Sequence, residues 1–205
     1  MKNVFISFRF SDGKKYKKEL CDLFDNNYYV SDFSEDIDRS NLSEETIKKY
    51  LYGKIAKSSV TIILLTKEAL AHHKDNTGKY DDWMYDEIRY SLEDRENNRT
   101  NGLIAIYTPE VENILIQRRE QRCYTCGLMH DINTITYYDN LFRVNMMNIY
   151  PEYKHNRCYE IYDMNYDSFC SLYSFDYFKR NINECIKIAE EKRDVKYQYK
   201  ITKRL

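Results

Sequence analysis

At 205 residues the chain is long enough for one domain with its own core and too short for two ordinary ones. Basic and acidic residues nearly balance, 32 against 33, which argues against a nucleic-acid binder. No apolar run reaches the roughly 18 residues that a membrane helix needs, so no membrane partner is expected.

Asn3 to Phe8 (NVFISF) is a short run of β-branched and aromatic residues, as in a buried strand. The N-terminus passes straight into it without a signal-peptide pattern, so a cytoplasmic protein with reduced thiols is expected. Ser11-Asp12-Gly13 breaks the run. Tyr16, Leu20, Leu23 and Phe24 then follow at helical spacing, up to Asn26-Asn27. Tyr28 to Phe33 reads as a second strand and Ser34 to Ser40 as a polar, acidic loop.

Asn41-Leu42-Ser43-Glu44 carries a capping-box pattern. It opens a helix with Ile47, Leu51 and Ile55 inward, running to about Lys57. Ser59 to Thr66 (SVTIILLT) is apolar on both faces and belongs in the centre of a covered parallel sheet. After a polar stretch, Trp83 to Arg95 puts Trp83, Glu87, Tyr90 and Asp94 on one side and Met84, Ile88 and Leu92 on another. Gly102 to Thr108 is a fourth strand. A featureless loop from Glu110 to Tyr153 would be improbable inside a compact domain, so short helices or an added strand are expected there. Cys158 to Asp163 reads as the last sheet strand and Phe175 to Glu191 as the last helix. The tail from Arg193 is expected to be mobile or to pair at an edge. The alternation of strands and helices predicts an α/β fold with a mainly parallel sheet flanked by helices.

Cys123 and Cys126 have metal-like C-x-x-C spacing, and His130, His155 and Cys158 could complete a tetrahedral set. With no second close pair, the sequence alone favours plain thiols and no metal. His72-His73 reads as a solvated loop pair.

Val4-Phe5-Ile6-Ser7-Phe8 followed by a polar turn and a helix resembles the start of a TIR domain. Trp83-Met84-Tyr85-Asp86-Glu87 matches that family's W-x-x-x-E signature after the third strand. Ile88-Arg89-Tyr90-Ser91-Leu92-Glu93 and Cys158-Tyr159-Glu160-Ile161-Tyr162-Asp163 resemble the ThsB-type branch of the Thoeris antiphage system. The resemblance implies a flavodoxin-like TIR fold in a single domain, residues 1–205, with a family-specific insertion at about 110–156 and a tail at 194–205. It implies cleavage of NAD⁺ between nicotinamide and ribose, with Glu87 as the catalytic carboxylate and a cyclic ADP-ribose-type product. NAD⁺ is then a substrate, and no separate cofactor is implied.

In open α/β sheets the ligand lies at the carboxyl ends of the strands. This makes Ser7, Phe8, Arg9, Asp32 and Phe33 candidate substrate contacts, with Trp83 packed one turn from Glu87. Arg9 could pair with the pyrophosphate, and Phe8 or Phe33 could stack on a ring. Asp36 falls in the loop that covers the site in such proteins. The implied partners are NAD⁺, further copies through TIR surfaces, and a separate effector that senses the product.

Other readings stand beside this one. Glu87 read alone is an acid among Asp81, Asp82, Asp86 and Glu93 near a helix start. A non-catalytic adaptor acting by TIR–TIR assembly has no need of the W-x-x-x-E acid. A receiver-like domain would carry paired acids after the first strand, and a dinucleotide fingerprint would carry a glycine-rich loop. Neither is present.

Overall fold

The computed structural model describes residues 2–25, 30–32, 43–70, 83–94, 99–135, 140–156 and 158–204. Strands apolar on both faces must be covered on both faces, and the sheet obeys this. β1 (Lys2–Ser7) buries its last four residues, while helix α1 (Phe10–Asp25) returns along it and β2 (Val30–Asp32) pairs with its outer edge. Helix α2 (Glu44–Ala56) leads into β3 (Val60–Leu65), all six of whose residues are buried. A single turn, α3 (Lys67–Leu70), follows, then α4 (Trp83–Leu92) and β4 (Gly102–Tyr107).

The order continues with α5 (Glu112–Leu115), β5 (Ile116–Arg122), β6 (Met129–Ile135), α6 (Asn140–Arg143), β7 (Cys170–Ser174), α7 (Phe175–Arg180) and α8 (Ile182–Asp194). Among the described residues the main sheet runs β2-β1-β3-β4-β7, with every pairing parallel. Counting only its own strands, this is the 2-1-3-4-5 order of a flavodoxin-like fold.

Two hydrophobic layers sandwich the sheet. On one face Val4, Ile6, Val60, Ile62 and Leu64 meet Leu20 and Phe24 of α1 and Ile186 and Ala189 of α8. On the other, Ile63, Leu65, Leu103 and Ala105 meet Met84, Ile88 and Leu92 of α4, with Leu141, Phe142 and Ile149 filling in. α8 comes so near the sheet that a Cβ on Gly102 would lie 2.5 Å from the Ala189 carbonyl oxygen, which only glycine avoids.

A buried polar chain fixes how α4 sits. Asn101 Nδ2 donates to Thr61 Oγ1 at 3.2 Å, and Thr61 lies 2.8 Å from Ser91 Oγ. Ser91 in turn donates to the Glu87 carbonyl at 2.7 Å. The same Asn101 amide donates to the Ile55 carbonyl at 3.0 Å, and its backbone N–H donates to the Ser91 carbonyl at 2.8 Å. β3, β4, α4 and the end of α2 are thereby tied at one point, with each buried polar group given a partner. On the outer side, Arg89 bonds Asp86, Glu93 and Tyr52, and Tyr52 stacks on Tyr90 with ring centroids 4.0 Å apart.

The flavodoxin-like architecture predicted from the sequence is present. α2 is capped by Ser43, whose Oγ accepts from the Thr46 N–H at 3.3 Å, and ends at Lys57 as expected. The box read from sequence pairs Asn41 with Glu44, whereas the N-cap is Ser43 and Glu44 is the first helical residue; Asn41 lies outside the described residues.

Two expectations are corrected. Cys158 to Asp163 is not a strand but a run of turns. It is gathered around buried Asp167, whose carboxylate accepts from the N–H groups of His155 and Asp163 at 2.7 Å. The fifth strand of the main sheet is instead Cys170–Ser174. The last helix is two, broken at Asn181, whose φ of −129° is not helical.

The insertion carries an added structure: β5 and β6 pair antiparallel, from Ile116↔Ile135 to Arg122↔Met129. The tail is docked. Tyr199 bridges to Ile149, the Thr202 N–H donates to Asn145 Oδ1 at 2.9 Å, and Arg204 reaches Glu93 at 2.8 Å.

α8 also buries Lys192 completely, with Nζ donating to the Ser168 carbonyl at 2.7 Å and to Ser171 Oγ at 2.6 Å. Burial lowers its pKa from 10.5 to about 7. Between those values the unfolded chain holds a proton that the folded chain lacks, so this group makes stability rise with pH. Lys192→Met is therefore expected to raise the melting temperature near pH 6 by about 5 °C, and by less as pH approaches 10. Thermal scans across that range check it.

For the polar chain, Thr61→Val should cost about 1–3 kcal/mol in chemical denaturation. The double variant Thr61→Val, Ser91→Ala should cost less than the two singles added together, because it removes both ends of one bond.

Candidate active site

α4 runs back along the sheet, so its first residues lie toward the carboxyl ends of the strands. Its last turn sits beside the start of β4: Asn101 and Thr100 contact Ser91 and Leu92 there. Ser91 faces Thr61, the second residue of β3. Glu87 is one turn earlier on the same helical side, about 5.4 Å nearer the strand tips and roughly level with Ile63. It is 7% exposed. Ile63 pairs with Ser7 of β1, itself 3% exposed. Paired residues of parallel strands project to one face, so Ser7 and Glu87 share the α4 side of the sheet near its open end.

The other expected contacts are distributed differently. Phe8 belongs to the opposite face. It packs against the α1 layer, where a Cβ on Gly13 would come within 3.2 Å of it and Lys17 Nζ sits 5.5 Å from its ring centroid. Arg9 is half-buried at the turn into α1, and its carbonyl accepts from the Gly13 N–H at 2.7 Å. The register sets Asp32 beside Val4, three residues short of Ser7. Trp83 is the first residue of α4. Phe33 and Asp36 lie outside the described residues.

At the strand tips a cleft of about 470 Å³ opens between the start of α1 and the ends of β3 and β4. Its lining includes Asp12, Tyr16, Thr66, Lys67, Thr108 and Glu110. Asp12 is held by Thr66 Oγ1 at 2.7 Å and by the Glu68 N–H at 3.0 Å. The Tyr16 hydroxyl bonds the Glu110 carboxylate, which Lys15 also reaches at 3.0 Å. Tyr16 and then Lys15 draw the Glu110 carboxyl down to about 2. None of these residues was singled out as a ligand contact from the sequence. Applying the strand-tip rule to the third and fourth strands, as well as the first two, would have named Thr66 and Thr108.

A second constellation lies in the insertion. Cys123, Cys126, His130 and Cys158 bring one ligand atom each to within 4.8 Å of one another, and Cys126 Sγ is 3.2 Å from His130 Nε2. The Cys126 backbone N–H draws the Cys123 thiol down to about 7, whereas donation to Cys126 pushes the Cys158 thiol up to about 11. His155 is not part of this group. It stacks on Tyr166 at 5.0 Å between ring centroids and approaches Asp167 at 3.5 Å. Among the described residues, no helix is long and apolar enough to cross a membrane.

The order β1, α1, β2, α2, β3, α4, β4, with the acid of the W-x-x-x-E motif buried on α4 against β3, is the part of the chain that a known family matches. The model described as "Thoeris protein ThsB, TIR-like domain" matches residues 5–113, from Phe5 in β1 to Asn113 in α5. The match covers more than half of the 205 residues, and the chain belongs to the ThsB TIR-like family of Thoeris defence proteins.

Proposed function

We propose that this protein cleaves the bond between nicotinamide and ribose in NAD⁺ and releases a cyclic ADP-ribose-type signal, with Glu87 as the catalytic carboxylate. The observation that carries this reading is the setting of Glu87: buried on the sheet-facing side of α4, toward the strand tips, on the face it shares with Ser7. Loss of nicotinamide leaves positive charge on the ribose. A carboxylate held in low dielectric stabilises that charge far more than one in water.

The tip cleft suits the rest of a dinucleotide. Lys14, Lys15 and Lys67 outnumber Asp12 and Glu110 in its lining, which leaves positive charge for a pyrophosphate, and Thr66 and Thr108 bring hydroxyls. Cyclisation requires that water be kept from the ribosyl cation after nicotinamide leaves. The β5–β6 hairpin begins six positions after the cleft residue Glu110, and we assign the insertion the role of a covering wall. Trp83 begins the same helix one turn before Glu87.

The test is NAD⁺ turnover followed by chromatography and mass spectrometry, both with purified protein and in phage-infected cells that express it. The wild type should consume NAD⁺ in infected cells, and Glu87→Gln should lower the rate by at least about 100-fold while folding normally. Full turnover by Glu87→Gln overturns the assignment of the acid. A wild-type protein that consumes no NAD⁺ in infected cells, yet still associates with itself, identifies an adaptor instead.

A further inference from the structure

We propose that Cys123, Cys126, His130 and Cys158 bind one zinc ion in a tetrahedral structural site that staples the β5–β6 hairpin to the segment beginning at Cys158. This inference is independent of the NAD⁺ reading and of Glu87.

The two chain segments that meet here are 28 positions apart at their nearest ligands, His130 and Cys158, while Cys126 and Cys158 are 32 apart. Tetrahedral Zn²⁺ with bonds of about 2.3 Å to sulfur and 2.0–2.1 Å to nitrogen sets its ligand atoms roughly 3.5–3.8 Å apart. The four atoms already lie within 4.8 Å of one another, so a contraction of about 1 Å completes the shell.

The tip of the hairpin is built for it. The Gly127 N–H donates to the Cys123 carbonyl at 2.8 Å, and the Cys123 N–H donates to the Leu128 carbonyl at 2.9 Å. This folds Cys123-Tyr-Thr-Cys126 into a tight turn with its two sulfurs on one side. Gly127 has φ +73°, a conformation that side chains other than glycine's rarely take. His130 follows on β6, one residue after the strand begins.

The third thiol arrives on a separately anchored loop. The Cys158 N–H donates to Asn156 Oδ1 at 2.9 Å, and the Tyr159 N–H donates to Thr125 Oγ1, inside the C-x-x-C turn, at 3.4 Å. Lys154 Nζ donates to the carbonyls of Cys158 and Tyr159. Three thiolates and a neutral imidazole around Zn²⁺ carry one net negative charge, and the Lys154 ammonium lies where it offsets that charge. Binding releases the thiol protons to solvent. Thiolate-rich S₃N ligation favours zinc over the oxygen-seeking magnesium and calcium. All four first coordination positions are filled by protein, as in structural rather than catalytic zinc sites.

The full chain, expressed in zinc-supplemented medium and passed through chelator-treated buffer, should retain about one zinc per molecule by elemental mass spectrometry. Cys126→Ser with Cys158→Ser should fall to background. Should that variant fail to fold, His130→Cys supplies the second measurement: it keeps the metal, and in cobalt-loaded protein its absorption moves from the S₃N to the all-thiolate pattern. Strong chelator should lower the melting temperature of the wild type and leave the double variant unmoved. Zinc at background in the wild type, a disulfide among Cys123, Cys126 and Cys158 in freshly isolated protein, or metal bound equally by the double variant would each overturn the site.

Discussion

The placement of α4 depends on one short relay of buried hydrogen bonds. Asn101 donates to Thr61, Thr61 to Ser91, and Ser91 to the Glu87 carbonyl. Apolar contacts of Met84, Ile88 and Leu92 hold the helix against the sheet, but such contacts tolerate sliding and rotation. Directional bonds in low dielectric do not, because any slip leaves a buried donor or acceptor without its partner. The relay therefore converts a greasy interface into a fixed register, and the register decides which side chain stands nearest the strand tips. Ile55 shares Asn101, so α2 is set by the same point.

The two faces of the sheet divide the work. On the α1–α8 face the packing is close to its limit: Gly102 admits no Cβ, Phe8 is pressed under Gly13, and Lys192 is buried whole. On the α4 face the buried polar residues gather, Ser7 and Glu87 toward the tips and Thr61, Ser91 and Asn101 toward the base. A phenylalanine at the end of β1 has either fate open to it in sequence. Alternation settles it, since Ser7 faces α4 and its neighbour must face α1.

The elements read correctly from sequence are those whose burial pattern is local. β3 is apolar on both sides because it is central, and its neighbours β1 and β4 share that signature. The hairpin was illegible for the opposite reason. Ile116–Arg122 (IQRREQR) is exposed at most positions, so it carries no apolar alternation, and its pairing with β6 is held by backbone bonds that any sequence can make. The Cys158–Asp163 segment misled because alternating tyrosine and isoleucine looks strand-like. Only Ile161 is buried among its side chains, and Asp167, four residues beyond the segment, accepts from the Asp163 N–H at the segment's end. Of the candidate site, Glu87 was named by motif, whereas the cleft residues Asp12, Tyr16 and Glu110 were not. Their meeting depends on the β4 tip turning back over α1, a contact between residues 94 positions apart.

The insertion has no core of its own, and its anchoring follows from that. Ile116 and Ile135 at the base of the hairpin reach the second hydrophobic layer, but toward the tip Tyr124, Leu128 and Met129 are exposed. A two-stranded ribbon with so little buried surface is marginal in water. It needs cross-links that act at its far end. The described residues offer the bond from the Tyr159 N–H to Thr125 Oγ1 and the cysteine–histidine cluster, both at the tip, where leverage against fraying is greatest. Asp167 then ties that loop back to the residues just before β7, which belongs to the main sheet. The ribbon is thus held at both ends, and a segment poor in apolar residues can keep one shape.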